Sequence, residues 1–292
     1  MVSRFRLWTM TNNGVSPAQG TFITNNVIEL TDTNYYEVTS FFFDSPMYIG
    51  AFRASFIYTD VGGAGVAYAT ADGFTLCFQN SAAGASALML GSSASGLGYY
   101  QLTNSAALAT ELYNNNGDDA PGIAFASDGQ GSVGVLAGGY LYGPTGNVSV
   151  ISGDSIQYDI LYDGNILTVT LTDTNTPSDT YTTNYVVGPL SAMVGGDSAF
   201  IGFTAATGGS TAIQTIANFS FTPIPVLSAA ESSGNVIITW PRAIGGYSLQ
   251  QSSSLRSTNW TTVPGPFNVV SNQYQHVVSS PSGNQFYRLV EP

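Results

Sequence analysis

Apolar and polar residues alternate along most of this chain in short runs, each closed by Gly, Asn or Asp. Val27–Leu30, Tyr36–Phe43, Tyr48–Tyr58, Phe74–Gln79, Ile156–Tyr162, Ile166–Thr172, Tyr181–Val187, Ala199–Thr204 and Ile216–Thr222 read as strands on that pattern. IQYDILY and ILTVTLTD have the period of two that gives a sheet one buried and one wet face. Between them, Tyr162-Asp163-Gly164-Asn165 predicts a hairpin, because Asp-Gly suits the positive φ values of a type I′ turn. No segment sustains apolar residues at i, i+3, i+4 and i+7, the mark of an amphipathic helix. Many short strands separated by turns predict an all-β sandwich or barrel.

Thr222-Pro223-Ile224-Pro225 interrupts the pattern. Two prolines around one residue make a stiff, extended connection. Beyond it a second strand set follows: Val236–Trp240, Tyr247–Gln251, Trp260–Val263, Phe267–Val270, Gln275–Val278 and Phe286–Val290. The chain therefore divides into a large domain at 1–222, a linker at 223–225 and a small β module at 226–292. Its 67 residues supply a modest core, so the module is expected to lean on the first domain or on a partner. Trp240, Tyr247, Trp260, Phe286 and Tyr287 are its expected core.

Charge changes the picture. Only 8% of residues are charged, against about a quarter in ordinary domains. There is no lysine, and six arginines face eighteen acids for a net charge of −12. Such a chain is repelled by nucleic acid and by anionic membranes, which excludes both as partners. No apolar run reaches the length of a membrane span, and the start, MVSRFRLWTM, lacks the apolar stretch of an export signal. The Thr-, Asn- and Gly-rich surface nevertheless points to a protein outside the cell or on its surface, with its leader already removed. Cys77 is the single cysteine, so no intrachain disulfide forms, and its apolar strand predicts a buried, inert thiol.

Candidate chemistry gathers at ATADGFTLCFQN, residues 69–80, where Asp72 stands at the mouth of an apolar strand. A carboxylate only accepts hydrogen bonds and can hold two neighbouring hydroxyls, while Gly73 lets the backbone turn tightly. A turn carboxylate is also a common turn former, so the position has an ordinary structural reading too. Enzyme chemistry finds no support. Glu29, Glu37, Glu111, Glu231 and Glu291 are scattered, with no paired acids of a glycoside hydrolase. Nucleophilic triads need a histidine, and His276 is the only one, on a strand of the second module. Asn147, Asn218 and Asn259 begin glycosylation sequons, Asn218 within an expected core strand.

In order along the chain, WTMTNN, FRASFIYT, ADGFTLCFQN, Gly96-Leu97-Gly98-Tyr99, Glu111-Leu112-Tyr113-Asn114-Asn115 and AFIGFTAATGGSTAIQTIANFSF resemble segments of the legume-type (L-type) lectins, here of the kind found in bacterial secreted proteins. The resemblance covers most of residues 5–222. It implies a flattened jelly-roll sandwich with loops gathered over one concave face, and a glycan or cell-surface polysaccharide as ligand. By resemblance Asp72 is the sugar acceptor, with Gly73 shaping its turn. Ser95 and Gly96 lie in the glycine-rich loop whose amides, from Ser95 to Gly98, would donate. Gly208 and Gly209 lie in the specificity loop, and Tyr99, Tyr100 and Tyr113 are candidates for an aromatic platform. Ala94-Ser95 stands where the family often has Gly-Gly.

The same resemblance implies a metal loop. Glu111 stands where an aspartate ligand is usual, Tyr113 would offer its carbonyl and Asn115 its side chain, the latter also reaching the sugar. Asp118 or Asp119 would supply a second carboxylate. This set suits calcium. Ala109 replaces the family's glutamate and Pro121-Gly122-Ile123 holds no histidine, so no transition metal is expected. The second module, with GNVIITWPRAIGGYSLQQSSSL, resembles a small β-sandwich appended to many secreted bacterial proteins. A different class of function also stays open. The uncharged, lysine-free surface offers little self-repulsion, which suits a self-assembling subunit of an extracellular filament or surface layer.

Overall fold

The computed structural model describes residues 8–15, 23, 24, 26–62, 70–114, 121–132, 135, 136, 142–256 and 258–291. The chain forms two compact units, residues 1–222 and 223–292. In the first, two seven-stranded antiparallel sheets enclose the core. The front sheet runs Trp8–Asn12, Val38–Phe43, Ser198–Ala206, Gly73–Gln79, Ser105–Glu111, Gly122–Ser127, with Met47–Tyr48 paired to the end of Ser198–Ala206. The back sheet runs Thr180–Val186, Ile166–Asp173, Ile156–Tyr162, Phe52–Gly62, Ala212–Pro223, Val27–Thr31, Ile23–Thr24.

Between them lies an aromatic core. Phe56 of the back sheet stacks on Tyr158 at 4.6 Å and meets Phe74 and Phe203 of the front sheet edge-on at 6.0 and 5.3 Å. Phe52 packs on Phe78 at 5.0 Å. Such pairs add about 0.5–1.5 kcal/mol each beyond the area they bury. The back sheet shows the alternation its sequence predicts: buried Leu167, Val169 and Leu171 alternate with the more exposed Thr168, Thr170 and Thr172. The hairpin at Asp163 forms, but positive φ falls on Gly164 (φ 106°) and on neither neighbour, so it is not the type I′ turn expected. Asp163 Oδ1 accepts the N–H groups of Asn165 and Ile166 at 2.9 and 2.8 Å instead, and these bonds hold its carboxyl below the ordinary value.

The front sheet departs from that pattern. Gly73–Gln79 and Ser105–Glu111 are buried at every position. Phe74, Leu76, Phe78, Ala106 and Leu108 face the inter-sheet core. Cys77, Ala107, Ala109, Ala124 and Ala126 face a second core, closed by Ala87, Leu97, Tyr99, Leu102 and Tyr142 from the loops. Small side chains on that face let the loop layer approach the sheet closely. Two strands carrying them, Ser105–Glu111 and Gly122–Ser127, were not evident from the sequence, because alanine is a weak strand signal and double burial removes the alternation. Cys77 is fully buried, and desolvation drives its thiol pKa far up.

Two expected strands are revised. Tyr36–Phe43 begins at Val38, with Tyr36 in a left-handed turn (φ 56°). Tyr48–Tyr58 divides into Met47–Tyr48 in the front sheet and Phe52–Gly62 in the back sheet. The crossing uses Gly50, where any Cβ would overlap the Tyr48 ring. A five-residue helix, Leu190–Val194, and two short 3-10 turns are the helical elements among the described residues, and no described helix is long and apolar enough to cross a membrane. Asn218 is exposed rather than buried; its Oδ1 accepts a hydrogen bond from Asn26.

The second unit pairs a four-stranded sheet (Ser228–Ser232, Asn235–Pro241, Gln273–Ser279, Asn268–Val270) and a three-stranded one (Thr261–Thr262, Ser248–Ser252, Phe286–Val290). Its core is Ile238, Trp240, Leu249 and Val263, with Phe267, Tyr274 and Tyr287 against it. Trp260 is outside that core and lies under the Arg288 guanidinium, 4.3 Å from the ring centre. Tyr247 and Phe286 are also outside it.

Asp60, near the C-terminal end of Phe52–Gly62, is 2% exposed, and its Oδ1 makes no hydrogen bond. Desolvation raises its carboxyl above 3.8, outweighing the Thr70 hydroxyl and the Gly153 N–H beside it, which favour the charge. The folded state thus holds this proton more tightly than the unfolded chain, and the group lowers stability as pH climbs from 3.8 through the raised value. Asp60→Asn is expected to melt above the parent protein at pH 7, with the gap closing below about pH 4. Equal midpoints at both pH values, by circular dichroism, would contradict this.

Candidate functional site

The loops over the front sheet are fastened to it by short polar links. Thr75 and Thr204 share a hydroxyl–hydroxyl bond of 2.8 Å, and Thr204 Oγ1 donates to the Leu97 carbonyl at 2.7 Å. Gly98 passes so close that a Cβ there would lie 3.2 Å from both the Ala205 and Thr39 carbonyl oxygens. Ala94 N–H donates to Thr207 O at 3.0 Å, joining the Ser92–Gly98 turn to the loop after Ser198–Ala206. That loop is tied in turn to residues 32–37. Thr207 N–H donates to Glu37 O (3.0 Å), Glu37 N–H to Thr207 Oγ1 (2.9 Å), and Thr207 Oγ1 to Asn34 O (2.7 Å).

Asp72 sits where these loops meet. Its N–H donates to Ala206 O at 3.0 Å and its carbonyl accepts from Leu112 N–H at 2.7 Å, so its backbone is gripped from both flanking strands. The Ala71–Asp72 peptide is cis. Gly73 pairs with Ala206 on one side and Glu111 on the other. Its φ is 144°, and a Cβ would fall 2.1 Å from Thr110 O, so only glycine fits. The Asp72 carboxylate faces Gly208: a Cβ on Gly208 would lie 2.7 Å from Asp72 Oδ2 and 2.9 Å from Ala94 Cβ. Asp72, Gly73, Gly208 and the Ala94–Gly96 turn that carries Ser95 and Gly96 therefore converge. Gly209 follows, exposed at the rim.

Part of the expected donor set is otherwise engaged. Within the glycine-rich turn, Gly96 N–H donates to Ser93 O, Leu97 N–H to Ala94 O and Gly98 N–H to Ser92 O. These three amides serve the turn and are not aimed at a ligand. The buried Ser95 hydroxyl, by contrast, makes no hydrogen bond within the chain. Ala94 adopts φ 56°, the left-handed conformation that glycine at this position would take without strain. Tyr99 is no platform: it is 2% exposed, accepts the Ser105 hydroxyl bond at 3.1 Å, and burial pushes its phenol up. Tyr100 and Tyr113 are each more than a third exposed.

Glu111 ends its strand opposite Gly73 and is 1% exposed, which puts a buried carboxyl beside the Asp72 turn. Asn115, Asp118 and Asp119 lie outside the described residues. Among the described residues no three His, Cys, Asp or Glu side chains gather to hold a metal ion. Where the resemblance expects a glutamate, Ala109 points into the second core, fully buried.

Residues 4–235 match the legume lectin domain family model. The chain belongs to that family. No curated protein sequence matches. Among solved structures, peanut lectin, crystallised with a nonapeptide, is similar at 21% identity, covering 74% of this chain and 97% of its own, with a TM-score of 0.54. The Bauhinia forficata lectin in complex with GalNAc is similar at 19% identity, 74% and 97% coverage, TM-score 0.52. The metal-free form of lectin I-B4 from Griffonia simplicifolia is similar at 16% identity, 73% and 92% coverage, TM-score 0.54. At these identities the structures show a shared fold.

Gly208→Ala places a methyl group against both Asp72 and Ala94. It is expected to lower stability by about 1–3 kcal/mol, the usual cost of overpacking, as read from urea unfolding. Gly209→Ala, which meets nothing nearer than 3.9 Å, is the control and should unfold like the parent. Equal destabilisation by the two would mean that Asp72 does not pack on Gly208.

Proposed function

We propose that this legume lectin domain captures glycans at the Asp72 turn, outside the cell or on its surface. The observation that carries the reading is the convergence of one backbone-clamped carboxylate, Asp72, with Gly208 and the Ser95 turn at a single end of the front sheet. Asp72 accepts hydrogen bonds from neighbouring sugar hydroxyls. Gly208 and Gly209 keep the approach free of side chains, and Ser95 supplies a hydroxyl. The polar surface, poor in charged side chains and with acids in excess, suits a neutral sugar rather than an anionic one. The GalNAc complex of the Bauhinia forficata lectin supports a galactose-type ligand as the first class to test.

A calcium ion fits the donor chemistry of the neighbouring loop. Glu111, the Tyr113 carbonyl, Asn115 and Asp118 or Asp119 are all hard oxygen donors, the set that calcium prefers and softer metals do not. Bound there, calcium would supply positive charge and rigidity to the loop. The chain's own contribution is the Leu112 N–H bond to the Asp72 carbonyl, which couples the order of that loop to the position of the sugar acceptor. The reading is binding rather than catalysis: among the described residues, Asp72 is the carboxylate placed against Gly208 and the Ser95 turn. The weak affinity of one shallow site is raised by presenting several copies to a polysaccharide.

The test is a printed array of defined mono- and oligosaccharides probed with the whole chain. The parent protein should be retained on a subset of glycans, and Asp72→Asn should weaken retention about 10- to 100-fold, the range for losing a hydrogen bond to a charged acceptor. Unchanged retention by Asp72→Asn would refute the assignment of Asp72. Chelation with EGTA is expected to lower both retention and melting temperature, and added calcium to restore them; indifference of both readouts would remove calcium from the reading.

A further inference from the structure

The turn at residues 32–37 carries two exposed tyrosines, Tyr35 at 51% and Tyr36 at 58%. By sequence pattern Tyr36 opens the expected strand Tyr36–Phe43, and Tyr35 carries no reading of its own. The turn is rigidly built. Asp32 Oδ1 accepts Asn34 N–H at 2.6 Å and Oδ2 accepts the Asn34 side-chain amide at 3.1 Å. Glu37 Oε2 accepts Asp32 N–H at 2.9 Å. Tyr36 itself is held at both main-chain groups: its N–H donates to Gly208 O at 3.2 Å, and its carbonyl accepts from Asn13 Nδ2 at 2.8 Å.

Two features make this more than an exposed aromatic. Tyr36 adopts φ 56°, a conformation that a bulky side chain rarely takes and that persists only where the surroundings impose it. The ring it presents also reaches the Asp72 site: its hydroxyl lies 3.9 Å from where a Cβ on Gly209 would stand. The backbone is thus bonded to Gly208 while the ring hangs beside Gly209, both on the loop that borders the Asp72 carboxylate. A tyrosine ring offers an apolar face for the C–H side of a pyranose and a hydroxyl for its polar edge, at small cost in conformational freedom.

We propose that Tyr36 is the aromatic wall of the sugar site, stacking on a pyranose held by Asp72 and setting which sugars the site accepts. The inference rests on the glycan-binding reading above. Tyr35 shares the turn and the exposure, with no contact reaching the glycine loop among those described, and serves as the internal control.

The experiment uses the full chain and the same printed glycan array, followed by titration calorimetry with the strongest soluble hit. Tyr36→Ala and Tyr36→Gly are both made, because glycine adopts φ 56° without strain and so removes the ring while keeping the turn. Both are expected to weaken binding about tenfold, with Tyr36→Phe within about threefold and a changed order of preference among array sugars. Tyr35→Ala should bind like the parent. Melting temperatures should stay level, since an exposed ring contributes little to the core. Parent-like affinity and preference in Tyr36→Gly, alongside loss in Asp72→Asn, would overturn the role of Tyr36 and leave the lectin reading standing. Retention of the parent protein on no glycan would overturn both.

Discussion

The central strands of the first unit's front sheet are buried on both faces, and the rest of the domain is arranged around that constraint. One face must carry large aromatics to fill the space to the back sheet; the other must carry almost nothing, so that loops can lie flat upon it. Gly73–Gln79 meets both demands by alternating Phe74, Leu76 and Phe78 with Gly73, Thr75 and Cys77. Ser105–Glu111 and Gly122–Ser127 repeat the solution with alanines. Gly202 shows how close the packing is: a Cβ there would fall 1.9 Å from the Phe41 carbonyl oxygen. Where the backbone is this tightly placed, short links fill the polar valences beneath the loops: Thr75, Thr204 and Leu97 satisfy one another.

The loop layer carries the proposed glycan site, and its precision comes from the sheet below. Asp72 is held by two backbone bonds from different strands, so its carboxylate is placed without help from its own loop. Thr207 performs the same service for the 32–37 turn, bonding to it three times. Two distant stretches of chain therefore meet at Gly208 with little freedom left. Loops held this way would lose little further entropy on binding a ligand, which is what the proposed site requires.

The second unit obeys the same rules on a smaller scale. Four fully buried side chains and a fringe of half-buried aromatics form its core. Val269, Val270 and Val277 remain 40–52% exposed, consistent with the marginal burial available to so short a chain. Charge also separates the units. The first contains sixteen of the eighteen acids and three of the six arginines, so it accounts for the whole negative balance.

Much of this was legible without coordinates. Strand-forming alternation in the back sheet, the proline-marked break near 223 and the turn signals at Asp72-Gly73 and Asp163-Gly164 are local, and local chemistry decides them. The family resemblance located the Asp72 turn and its glycine partner loop by order along the chain. Tertiary structure decided what depends on distance. Burial on both faces erased the period that would have exposed the alanine strands. Tyr99, a candidate sugar platform by resemblance, is drawn into a second core whose existence no single segment encodes. Tyr36 is turned outward because Gly208, more than 170 positions away, bonds to its amide. Sequence reports the preferences of neighbours along the chain, whereas a binding site is made by groups that only folding brings within a few ångströms.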